Sequence, residues 1–114
     1  MNIKGIPAKE EADMHRMERE LDRIRPIVAE LNDRLRGKLE ASGRTICSVF
    51  GVMDGDTKTS AFIAVTEPCV VRGIQMERFI LETHRAALVL DFFEEEERQW
   101  LESLPHPRCS PGIW

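Results

Sequence analysis

Residues 45–66 read TICSVFGVMDGDTKTSAFIAVT. Two runs rich in β-branched and aromatic residues flank Asp54-Gly55-Asp56, and an Asp-Gly pair there supplies the positive φ of a tight hairpin turn. The stretch predicts two antiparallel strands. With Asp54 and Gly55 central, Ile46 faces Ile63 and Phe50 faces Thr59. With Gly55 and Asp56 central, Ile46 faces Val65 and Phe50 faces Ala61. The two pairings differ by two residues, so the side-chain faces are the same in both. One face carries Ile46, Ser48, Phe50, Val52, Ala61, Ile63 and Val65 and is a core face. The other carries Cys47, Val49, Met53, Lys58, Ser60, Phe62 and Ala64 and is mixed.

A lone two-stranded ribbon is marginal in water and leaves two unpaired edges. Helices are therefore expected on the first face. A further element, or a second copy of the chain, is expected on an edge or on the second face.

Before the hairpin, residues 8–41 have helical character. Apolar residues at Met14, Met17, Leu21, Ile24, Val28, Leu31 and Leu35 step by three and four, a three-heptad seam. Such a seam serves either a coiled-coil contact with another chain or an amphipathic helix lying on its own hairpin. Pro26 lies opposite the seam and predicts a kink or break. Ser42-Gly43 closes the helix, glycine being suited to the left-handed cap.

After the hairpin, Glu67-Pro68 is expected to interrupt the strand, because proline cannot donate to a ladder. A second helix is predicted from Val71 to Leu90, with Ala86 to Leu90 apolar on every face and so buried on more than one side. A third strand across Ala86 to Phe93 is the alternative, since short apolar runs are ambiguous by period. Asp91-Phe92-Phe93-Glu94 fits a capping box and predicts a short helix from Phe92 to Leu104, ended by Pro105. The tail, residues 105–114, is rich in proline and expected to be loose.

The 114 residues suit a single domain, and a charged fraction of 32% fits a globular protein. Cys47, Cys69 and Cys109 form an odd set without CxxC spacing, which fits a reducing cytosol. No apolar run approaches the roughly 18 residues of a membrane span, and the N-terminus lacks the apolar core of a secretory signal. Residues 1–43 balance nine basic against nine acidic side chains, whereas residues 44–114 hold seven and eleven, which supplies the whole net charge of −4. That distribution gives no basic surface for nucleic acid.

No motif names an activity. Asp54 to Thr59 fails as a calcium loop, because Lys58 falls at a ligand position and Val65 where the bidentate Glu belongs. It also fails as a phosphate loop, because no Gly-Lys pair follows Gly51. His106 and Cys109 have half the spacing of a zinc site without a second pair. Cys47, Cys69 and His84, placed mid-helix, show no spacing that makes a nucleophile and base.

The expected fold is α+β: a long helix, a two-stranded β-hairpin, a second long helix and a short C-terminal helix, the helices on one face of the hairpin. The expected function is a non-enzymatic protein-binding factor, an inhibitor or adaptor that occupies a partner protein's surface. Its contacts would be the acids between Asp91 and Glu102: Asp91, Glu94, Glu95, Glu96, Glu97 and Glu102. Their bland alternative is a solvated helix start. Small accessory inhibitors of phages and mobile elements, anti-CRISPR proteins among them, share this profile at class level without a shared motif. A homodimer is expected through the heptad seam, the hairpin edge or the apolar middle of the second helix. The alternative is an oligomer sequestering a nucleotide-like molecule, which would need Lys58, Arg72, Arg78 and Arg85 to converge. A minor enzyme alternative would draw on His84 or Cys69. No cofactor or metal is expected.

Overall fold

The computed structural model describes residues 8–104; the start of the chain and the tail expected to be loose lie outside the described residues. The elements are α1 (Ala8–Arg34), α2 (Arg36–Ser42), β1 (Thr45–Val52), β2 (Thr59–Val71), β3 (Ile74–Thr83) and α3 (Ala86–Ser103). The α+β class stands, but the sheet is a three-stranded antiparallel meander in the order β1-β2-β3. Two expected features, a two-stranded ribbon and a helix over Val71–Leu90, give way to it.

The first hairpin takes the pairing with Gly55 and Asp56 central, Ile46 opposite Val65 and Phe50 opposite Ala61. The second hairpin turns at Arg72-Gly73, with φ of 53° and 79°. Two consecutive positive φ values make the mirror-image turn whose twist suits two-residue hairpins. β2 runs on through Pro68, against the expected interruption. The closing pair Val71–Ile74 is a hydrogen-bonded one, and bonded pairs alternate along the ladder. Cys69–Met76 and Glu67–Arg78 are then bonded, whereas Pro68–Glu77 is not. The proline nitrogen thus faces the side where β1 has already ended, at Thr45–Thr66, and no ladder bond is lost.

α1 lies on the sheet with the seam inward. Ile24, Val28, Leu31 and Leu35 are buried with Ile46, Ala61, Ile63, Val65, Val89 and Phe93 in one core, and Leu21 packs against it. Met14 is half exposed. Most of the seam therefore serves the chain's own sheet. Asn32 Nδ2 donates to the Ile46 carbonyl at 3.1 Å, and Glu20 Oε1 accepts the Ala61 N–H at 2.9 Å, tying α1 to β1 and β2. Pro26 is exposed within an unbroken α1. The interruption comes at Leu35 instead, and Gly43 closes α2 in the left-handed conformation, its N–H bonding the Leu39 carbonyl.

α3 is one continuous helix, so the alternative of a strand over Ala86–Phe93 and the short separate helix from Phe92 to Leu104 both give way to it. Asp91 sits inside it rather than capping it. No described helix is long and apolar enough to cross a membrane.

Candidate functional site

Among the described residues, two surfaces gather exposed apolar side chains into a patch, while Met14, Val52 and Leu88 are exposed elsewhere. The first is on α3. Val89 and Phe93 are buried, and Trp100 and Leu104 lie seven and eleven residues beyond Phe93, within about 20° of it around the helix. The core stripe of α3 thus continues along the same side, yet Trp100 is 60% exposed and Leu104 40%. Leu101, exposed by 54%, widens the patch. Beneath Trp100 an open hollow of about 580 Å³ separates α3 from α2, with Lys38, Ala41 and Ser42 on the far wall.

The acidic run of α3 divides in two. Glu96 pairs with Arg44, and Glu97 with Lys38 at 2.7 Å. Glu95 accepts from Arg98 and from Gln99 at 3.0 Å. These three carboxylates are engaged within the chain. Asp91, Glu94 and Glu102 are exposed, and Glu94, seven residues before Leu101, shares its side of the helix.

The second surface is the far end of the β2–β3 hairpin. Beyond Thr66 there is no β1 partner, and residues 67–79 project by about 20 Å at the rise of a strand. Val70, Val71, Ile74, Met76 and Phe79 are each about half to two-thirds exposed. The root of this arm is held by charge. Glu67 accepts from Arg78 Nε at 2.8 Å and from Arg44 at 3.4 Å. Arg44 in turn meets Glu96 and lies 5.6 Å from the Phe92 ring centroid, a cation–π distance. The hydrogen bond from Arg78, ahead of the other charge effects, holds the Glu67 carboxyl below the usual glutamate range. On the opposite sheet face Thr66 Oγ1 donates to Glu77 at 2.7 Å. Burial, and secondarily the Glu77 charge, push the Cys47 thiol up, which disfavours the thiolate.

Other sequence candidates disperse. Lys58 and Arg72 stand beyond opposite ends of the 13-residue β2, roughly 40 Å apart by strand rise. Arg78 is paired at the arm root, and Arg85 is the residue before α3, so the four cations do not converge. His84 is not mid-helix: it follows β3, 3.0 Å from Ser60 Oγ and edge-on to Phe62. That pair is exposed, and the neighbouring Glu82 carboxylate accepts the Asp54 N–H. Among the described residues no three His, Cys, Asp or Glu side chains are grouped to hold a metal ion. Sequence reasoning missed the arm because it missed β3; the available signal was Arg72-Gly73 followed by Ile74, Met76 and a β-branched, aromatic run.

No protein-family model, curated protein or solved structure matches this chain.

Proposed function

We propose that the chain is a non-enzymatic protein-binding factor, an inhibitor or adaptor, that grips its partner with the C-terminal half of α3. The observation that carries this is the apolar stripe of α3 running past its own core, with Trp100 uncovered at its centre. Interface energy concentrates in such aromatic anchors, and surrounding polar groups chiefly steer the encounter. Glu94, on the side of Leu101, gives the patch an acidic edge, while Asp91 and Glu102 lie about 160–180° around α3 from Phe93 and act only as longer-range steering charges. The fitting partner thus offers an apolar pocket with Lys or Arg at its edge.

The test is affinity capture from the native host with three versions of the chain. Trp100→Ala removes the anchor and reduces capture by a factor of about 30 or more if it acts as a hot spot. Reversing Asp91, Glu94 and Glu102 to Lys slows capture and inverts its salt dependence. These acids are preferred over Glu95, Glu96 and Glu97, whose reversal would set Lys against Arg98, Arg44 and Lys38. Capture unchanged in both variants, at an unchanged melting temperature, removes the proposal.

A further inference from the structure

We infer that the projecting arm binds a second copy of this chain, through antiparallel pairing of β3 with its symmetry mate in a register centred on Met76. The surface is separate from α3, so this inference and the proposed function fail independently.

The backbone argument comes first. Because Ile74, Met76 and Arg78 bond inward to β2, the N–H and C=O groups of Gln75, Glu77 and Phe79 point outward. Elsewhere the sheet margin is tended by α1: Asn32 bonds the Ile46 carbonyl, Glu20 the Ala61 amide, and Arg16 the Thr59 carbonyl. Among the described residues no side chain does the same for β3; its polar neighbours bond the Glu77, Glu82 and Thr83 side chains instead. β3 holds no proline or lysine, two of the devices that keep an edge strand from pairing. Its exposed run is flanked by Val70, Val71, Ile74, Met76 and Phe79 on both faces of the arm.

Charge selects the occupant. Across a two-fold axis a patch meets itself, so a surface of one sign repels its own copy. Residues 67–79 hold Glu67 and Glu77 against Arg72 and Arg78, a balance of zero. That suits self-association and does not favour a strongly charged partner.

Charge also selects the register. A two-fold perpendicular to the sheet pairs residues of the same face, so the axis passes through a residue. Centred on Gln75, Arg78 meets Arg72; centred on Glu77 or Arg78, that side chain meets itself. Like charges directly opposite are destabilising. Centred on Phe79, the ladder runs into the bulge where Ile80 is extra, between the pairs Val65–Leu81 and Thr66–Phe79. Centred on Met76, Gln75 bonds Glu77 of the second copy, amide against carboxylate, Ile74 lies by Arg78, and Met76 packs on Met76. The product is one six-stranded sheet with a copy of α3 at either end, which gives the partner two sites to engage at once.

The experiment is mass by light scattering on the full chain, followed by two variants. Wild type is expected at twice 13.1 kDa. Gln75→Pro deletes an outward N–H while leaving the β2 ladder and every apolar side chain in place, and is expected at the single-chain mass with an unchanged circular dichroism spectrum. Met76→Cys, with Cys47, Cys69 and Cys109 changed to Ser, places two thiols on a non-bonded pair. Their Cα separation of about 4.5 Å is within disulfide range, so mild oxidation yields a covalent dimer. A single-chain mass for wild type overturns the inference. So does a dimer that survives Gln75→Pro and fails to cross-link through Met76→Cys.

Discussion

Replacing Ile24 by Ala tests whether the heptad seam is the chain's own core. Ile24 is 1% exposed and packed among Leu31, Ile63 and Val89 in the central cluster. The change removes three carbons, about 2.4 kcal/mol at roughly 0.8 per buried methylene. The cavity left behind raises the cost to about 3–4 kcal/mol, within the range for Ile→Ala in cores. At roughly 4 °C per kcal/mol for a domain of this size, the melting temperature falls by roughly 12–16 °C. Met14→Ala, on the same seam but 48% exposed, costs less than about 0.5 kcal/mol. Urea titration of both variants, with Leu21→Ala between them, should show cost rising along α1 from Met14 to Ile24. A seam whose role is a coiled coil with another chain makes all three comparably expensive. Equal losses at Met14 and Ile24 would refute the packing described above.

Three further outcomes follow from the same contacts. Because Glu67 titrates below the usual glutamate range when folded, its contribution is present above the ordinary value of about 4.3 and is lost as pH falls through the folded value. Glu67→Gln should therefore destabilise the chain at pH 7, and the difference from wild type should shrink below about pH 4.3 in pH-resolved denaturation. Gly73 has φ of +79° with open space around its Cβ position, so Gly73→Val is penalised by backbone strain alone, about 1–2 kcal/mol. Nuclear magnetic resonance should show fraying confined to the arm, with the core about Ile24 intact. Cys47, with its thiol pushed up by burial, should react with iodoacetamide at pH 8 more slowly than a cysteine in an unfolded peptide, as timed by mass spectrometry.

The first hairpin was legible because Asp54-Gly55-Asp56 states its turn chemistry and both flanking runs are unmistakably β-prone. The side-chain faces followed from the period of two, although the pairing needed the structure to choose Gly55-Asp56. α1 and its seam were legible for the same kind of reason, a sustained period. β3 was not. Ile74, Met76, Phe79, Ile80 and Leu81 mix spacings of two, three and one because a bulge at Ile80 shifts the alternation midway. Pro68 added a false stop, since only the position of β1's end decides whether a missing N–H matters. Asp91-Phe92-Phe93-Glu94 added a false start, a capping pattern inside a helix already under way. The acidic run was visible in sequence. That half of it is bonded to Arg44, Lys38 and Arg98 depends on tertiary placement no local pattern carries.

Amide hydrogen exchange resolved along β3 tests the central claim, a strand bonded inward at alternate residues and paired outward to a second copy. At concentrations where the mass is doubled, Ile74 through Arg78 should all be protected, whereas Phe79, opposite the Gly73 turn of the second copy, should not. In Gln75→Pro, Met76 and Arg78 should stay protected while Glu77 exchanges freely. Continuous protection that ignores the variant, or fast exchange at Met76 and Arg78 in both forms, would contradict the account.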